Sequence, residues 1–335
     1  MTQKNILVIG AQGVLGKFTA RALQSMGNKV LRGGRRAESA ADFRLVDLDR
    51  SDTLATALEG VDLVVSSIPD NSARAERAIL RNGGLLLSEA SVPAEAQRSL
   101  YADAAMGATG TVVLNSGLTA VCGLVAKDLL EKFPEADTLE LGCVISIKGS
   151  AGLAGCRTAH GWLTSMPGLP AVPREFTAPL GVRYCFDLSG NDNFWTSAAV
   201  TRHRRVLSYI GIAERGFNTF LRVLNRIGLL KVLPEFVLTA AVRLRPTPEQ
   251  LSREPIRMRA AVYRQGKLLA ARGIDAEGDY NATVLSTGMF SNSLLALRDR
   301  GGVRPGVYFV EDLFDLDDMR AELSDHRIVI WSLDT

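Results

Sequence analysis

Histidine and cysteine are scarce in this chain of 335 residues, with three of the former and four of the latter. His160, His203 and His326 are far apart, and Cys122, Cys143, Cys156 and Cys185 show no paired spacing. A metal centre needs its ligands clustered, so none is expected. Scattered cysteines without a framework read as reduced thiols in a cytoplasmic protein. Long apolar runs are missing too. The best stretch, residues 217–242, is broken by Arg222, Arg226, Lys231, Pro234 and Glu235, which excludes a membrane span there. Met1-Thr2-Gln3-Lys4 leads straight into an apolar run, so no secretory leader is expected. The net charge is only +3, and no nucleic-acid partner is expected.

What is present is a chain 47% hydrophobic and 22% charged, long enough for two domains that each bury a core. Charge is unevenly spread. Residues 201–260 carry 12 Lys/Arg against 4 acids, so the remainder of the chain is net acidic. Such a segment suits an anionic small-molecule substrate, a membrane surface or a phosphate group, or is a solvated helix face. Within it Phe217, Phe220, Leu221, Leu224 and Gly228 share a helical face. That pattern fits a buried packing or homodimer helix, or a helix that rests peripherally on a membrane.

The most informative segment is Ile6-Leu7-Val8-Ile9-Gly10-Ala11-Gln12-Gly13-Val14-Leu15-Gly16. A buried-strand run ends in a glycine turn that opens a helix over residues 14–26. Gly10 permits the tight turn, Gly13 and Val14 open the helix where a pyrophosphate approaches backbone N–H groups, and Gly16 allows close helix–strand packing. Some twenty residues on, where an NAD-binding chain places an acid, the sequence reads Arg32-Gly33-Gly34-Arg35-Arg36. Arginine there favours a 2′-phosphate, hence NADP.

Over the first 120 residues short apolar runs (5–9, 29–31, 43–48, 63–68, 85–88 and 111–114) alternate with helical stretches (14–26, 52–58, 72–81 and 94–106). Ser51 and Asn71 suit the N-caps of the second and third helices. This alternation is that of an α/β Rossmann-type doubly wound parallel sheet. Beyond Gly117 the texture changes, and an α+β substrate domain is expected. A helix at 118–133 and a strand at 138–148 come first. Gly/Pro/Ser/Thr-rich loops follow at 149–195, then mostly helix at 206–244. A hairpin at 256–274, a long helix at 280–297, a short helix at 315–323 and a strand at 327–331 follow along the chain. The expected division is 1–121 with 288–335 as the dinucleotide-binding domain, and 122–287 as the substrate domain.

Several stretches resemble the saccharopine dehydrogenase-like reductase family. Residues Leu31-Arg32-Gly33-Gly34-Arg35-Arg36-Ala37-Glu38-Ser39-Ala40 resemble its second-strand turn, and the resemblance implies that Arg35 meets the NADPH 2′-phosphate. Asp62-Leu63-Val64-Val65-Ser66-Ser67-Ile68-Pro69 resembles the fourth strand, whose end (Ser67, Ile68, Pro69) packs against the nicotinamide ribose. Leu114-Asn115-Ser116-Gly117-Leu118 resembles the segment entering the substrate domain. Arg304-Pro305-Gly306-Val307-Tyr308 and residues 311–323 resemble the tail that returns to the cofactor domain. One departure is Thr119-Ala120-Val121-Cys122, where the family has Pro-Gly. Fold and cofactor are therefore carried over, and saccharopine as substrate is not.

For chemistry, Tyr101 has no partner lysine at the spacing of a short-chain alcohol dehydrogenase. Glu89 follows the fifth strand and is a candidate general acid, or a solvated loop carboxylate. Asn115 is a candidate for the nicotinamide amide. Arg157 and His160, with Trp162, form a cation, a titratable imidazole and an aromatic plane in one expected loop: Arg157 to anchor an anionic substrate group, His160 to supply a proton. The expectation is an NADP-dependent reductase acting on a C=N, C=O or C=C bond. The other readings are a non-catalytic NADP-binding regulator of the NmrA-like kind and a membrane-surface protein.

Overall fold

The computed structural model describes residues 3–149, 153–165, 170–188, 196–243 and 253–333. They fall into two compact units, one made of 1–120 with 283–313 and the other of 121–282 with 314–335.

In chain order the first unit begins β1 (Asn5–Ile9), α1 (Val14–Ser25), β2 (Lys29–Gly34), β3 (Phe43–Leu45), α2 (Ser51–Ala57) and β4 (Leu63–Ser66). It continues α3 (Arg74–Asn82), β5 (Leu85–Ser88), α4 (Ala94–Ala105), β6 (Thr111–Leu114) and the start of α5 (Leu118–Lys132). The second unit has β7 (Thr138–Ile145), α6 (Leu153–Ser165), β8 (Val172–Phe176), β9 (Gly181–Asp187) and β10 (Arg205–Ile212). Then come α7 (Arg215–Arg226), a 3-10 turn (Leu229–Val232), α8 (Glu235–Arg243), β11 (Pro255–Arg264) and β12 (Lys267–Glu277). The chain ends with α9 (Asp279–Asp299), β13 (Gly306–Phe309), α10 (Val310–Leu313), α11 (Leu316–Asp325) and β14 (Val329–Leu333).

The first sheet is parallel throughout, in the order β13-β6-β5-β4-β1-β2-β3. Its central strands read as unbroken apolar runs because both faces are covered; Ile6, Leu7, Val8 and Ile9 are completely buried. Strand order reverses between β1 and β4, which opens a crevice at their carboxyl ends. This is the Rossmann-type doubly wound sheet. The second sheet is mixed, in the order β14-β12-β11-β7-β10-β9-β8, with β7 and β10 its parallel pair.

Four expectations are corrected. Residues 205–212 form β10 rather than helix: Val206, Tyr209, Ile210 and Ile212 fit a pleated strand, and pairing with β7 and β9 holds them extended. The stretch 149–195, expected as loops from its composition, holds α6 and the strands β8 and β9. The tail divides: β13 joins the first sheet beside β6, whereas β14 pairs with β12 in the second, so residues 314–335 leave the first unit. Asn71 does not cap α3; Asp70 accepts hydrogen bonds from the Ser72 and Arg74 N–H groups at 3.1 and 2.9 Å.

Candidate functional site

The glycine turn sits at the carboxyl end of β1, where strand order reverses. Gly10 has φ +87°, and a Cβ there would come within 2.7 Å of Ile68 Cγ1. Side chains on Gly13 and Gly16 would crowd the Gly10 carbonyl, at 3.2 Å for Gly13 and in outright overlap for Gly16. The three glycines therefore let α1 begin directly against the strand end. No side chain caps α1, and its first turn holds no acid. Its orphan N–H groups and positive dipole end suit an anion.

The end of β2 lies alongside, held by Gly10 and Ala11 N–H groups that donate to the Gly33 carbonyl at 3.0 and 3.1 Å. Gln12, which the sequence reading passed over, ties the two turns together. Its Nε2 donates to the Arg36 carbonyl (2.8 Å) and to Glu38 (2.9 Å), and its Oε1 accepts from the Arg36 N–H (3.3 Å). Both nearby acids are engaged with Arg32, Asp42 at 2.8 Å and Glu38 at 3.1 Å. The Arg35 and Arg36 side chains are exposed and make no ion pair among the described residues. Two cations thus stand unneutralised where the second strand ends.

On the other side of the crevice, the Ser67 N–H donates to Ile9 O at 3.0 Å, placing Ser67 and Ile68 against the turn, with Pro69 exposed beyond them. Glu89, just past β5, is only 5% exposed. The Ser67 hydroxyl hydrogen-bonds its carboxyl, Thr19 Oγ1 lies 2.7 and 2.8 Å from the two oxygens, and Thr287 of α9 is a third partner. Burial, only partly offset by these hydroxyls, pushes the Glu89 carboxyl up to about 7. Thr19 Oγ1 also sits 3.1 Å from the Leu15 carbonyl. A protonated Glu89 can donate to Thr19 while Thr19 donates to Leu15, so the neutral acid satisfies every group. The side chain is enclosed beneath the crevice, not solvated as a loop carboxylate would be, and it joins α1 to the end of β4. Thr19 was missed because nothing local marks it; it meets Glu89 only through the fold. Asn115 is buried with φ +52°, its Oδ1 accepting from the Val92 N–H at 3.4 Å.

Arg157 and His160 lie in the second unit on α6, not in a loop. Arg157 Nε pairs with Glu235 at 2.9 Å, on the surface. His160 Nε2 lies 2.6 Å from the Leu233 carbonyl. A carbonyl only accepts, so Nε2 carries the proton and Nδ1 is the free acceptor when the ring is neutral. The Trp162 side chain falls outside the described residues. Among the described residues no group of three or more His, Cys, Asp or Glu could hold a metal, and no helix is long and apolar enough to cross a membrane.

No protein-family model and no curated protein matches the sequence. Among solved structures, the chain is similar to saccharopine dehydrogenase (L-Glu forming) from Saccharomyces cerevisiae, at 12% identity. That match covers 99% of this chain and 100% of that one, with a TM-score of 0.61. Weaker likenesses reach dihydrodipicolinate reductase from Paenisporosarcina sp. TG-14 (8% identity, 93% and 100% covered, TM-score 0.43). Another is to a meso-dapdh mutant from Clostridium tetani E88 (12% identity, 96% and 100% covered, TM-score 0.46). The first of these shows the fold, which is that of saccharopine dehydrogenase.

Proposed function

We propose that the first unit binds NADPH and that the protein is a reductase acting on a C=N, C=O or C=C bond of a small or moderately hydrophobic substrate. The observation that carries this reading is the pairing of an uncapped α1 at the switch point with unneutralised Arg35 and Arg36 at the end of β2. The residues fit the group. Gly10, Gly13, Val14 and Gly16 would hold the pyrophosphate, and Arg35 with Arg36 the 2′-phosphate. Ser67, Ile68, Pro69 and Asn115 would line the nicotinamide side. When bound, NADPH supplies a hydride. The chain's own part is to orient and desolvate the partners and to manage one proton. The fold shared with saccharopine dehydrogenase supports an oxidoreductase of this kind.

Glu89 acts in this reading as a positioning residue. Its carboxyl is committed to Thr19, Ser67 and Thr287, so it sets the crevice walls rather than touching substrate. Of the three bonds, C=N demands least of the protein, since an imine can be protonated before it binds. Where a proton is transferred, His160 is the candidate, and Arg157 the candidate anchor for an anionic group.

Calorimetry tests the cofactor. NADPH should bind more tightly than NADH, and Arg35→Ala should narrow the preference by about tenfold or more, because a charge-assisted phosphate contact contributes roughly 1.5–3 kcal/mol. Equal affinity for both nucleotides would overturn the assignment. A second measurement follows NADPH oxidation with candidate imines, ketones and enones. His160→Ala should lower kcat with NADPH binding intact. Arg157→Ala should chiefly raise KM and leave the urea midpoint unchanged, since an exposed ion pair contributes little to stability. NADPH binding without turnover on any of these classes favours the regulator reading.

A further inference from the structure

Helix α7 is turned inside out for a surface helix. Its inward side carries Asn218, Leu221 and Asn225, all buried. Asn218 Nδ2 donates to the Tyr184 carbonyl at 2.9 Å, and the Arg222 guanidinium stacks 3.7 Å over the Tyr184 ring. These contacts fix the helix rotation. Phe220, Val223 and Ile227 therefore point outward, with Phe220 45% exposed. The apolar surface continues past the helix through Leu229, Val232 (69% exposed) and Phe236 (68% exposed), while Leu230 and Leu233 anchor the segment from below. An exposed apolar strip of this length marks an interaction surface.

Its charge is one-sided. Arg215, Arg226 and Lys231 are exposed along the same segment and make no ion pair among the described residues. The acids beside them are engaged: Glu214 accepts from Ser146 Oγ (2.5 Å) and the Ile147 N–H (3.1 Å), and Glu235 pairs with Arg157 (2.9 Å). A two-fold pairing with a second copy would bring this unneutralised positive rim against itself. A surface of opposite charge with an apolar layer beneath it answers both features.

We propose that residues 215–236 dock flat on a membrane rich in anionic lipid. The outward apolar side chains enter the boundary between headgroups and acyl chains, and Arg215, Arg226 and Lys231 lie at phosphate level. The inference rests on another unit than the cofactor cradle and shares with that reading only the Arg157–Glu235 ion pair.

Vesicle co-sedimentation of the full chain tests it, with phosphatidylcholine vesicles alone or carrying about one third phosphatidylglycerol. The protein should pellet with the anionic vesicles only and be released as salt rises from about 0.1 to about 0.5 M. Arg226→Glu with Lys231→Glu should lower the partition coefficient at least about twentyfold, since each cation near such a surface contributes about fivefold. Phe220→Ser with Val232→Ser should abolish pelleting. Both variants change exposed positions, and unaltered circular dichroism and melting would show them folded. Wild-type protein left in the supernatant with both vesicles overturns the proposal. So does equal binding to neutral vesicles, or a dimer in analytical ultracentrifugation that Phe220→Ser disrupts while vesicles fail to bind.

Discussion

Glu89→Gln should remove a pH dependence from the stability of this protein. The carboxyl titrates near its ordinary 4.5 when unfolded and at about 7 when folded. Between those values the native state holds a proton that the unfolded state has released, so wild-type stability falls as pH rises through the window. The full loss is on the order of 3 kcal/mol, at about 1.4 kcal/mol per pH unit. Urea denaturation from about pH 5 to about pH 8 should show that decline in the wild type and a flatter profile in the variant. Near pH 5 the two should be close, because glutamine is nearly isosteric with the neutral acid and can still bond Ser67 and Thr19. Identical slopes would mean that Glu89 titrates as an ordinary carboxylate, and its part in holding α1 against β4 would have to be given up.

Glu140→Ala should destabilise the second unit by about 3–5 kcal/mol, the range for removing one partner of a buried ionic group. Glu140 is 3% exposed on β7. It receives Arg259 Nη1 of β11 at 2.5 Å and Arg174 Nη2 of β8 at 2.6 Å. Arg174 also lies 4.7 Å from the centre of the Tyr209 ring. Without the carboxylate, two guanidinium groups on one sheet face lose their counter-charge. Replacing all three residues with apolar ones of similar volume should recover much of the loss, as in other buried ionic clusters. An unfolding free energy for Glu140→Ala within about 1 kcal/mol of wild type, from urea denaturation, would show that water reaches the cluster.

Local patterns account for what the sequence made legible. The run from Ile6 to Ile9, the turn at Gly10 and the arginines at the end of β2 are adjacent in the chain, and the carboxyl-edge crevice follows from their order. β10 departs from the helix that its neighbourhood suggests because pairing with β7 and β9 overrides the local periodicity. α6 was missed because glycine, serine and threonine suggest a loop, yet Leu163 gives the helix a buried contact. The amphipathic pattern at 217–228 was visible in the sequence. Which side would be buried was not, because the rotation of α7 is set by Tyr184, more than thirty residues away.

The sequence by itself determined the parallel first sheet, the position of the glycine turn and the absence of an acid at the end of β2. The glycine turn and the missing acid depend on neighbouring residues, and the parallel sheet on the regular alternation of short apolar runs with helices over the first 120 residues. Only the tertiary structure decided that β14 would join the second sheet, that Glu89 would be enclosed by Thr19, Ser67 and Thr287, and that Phe220, Val223 and Ile227 would face outward. Each of these depends on partners distant in the chain. A backbone edge, a buried carboxyl or a helix face takes whichever partner satisfies its hydrogen bonds once the core has formed.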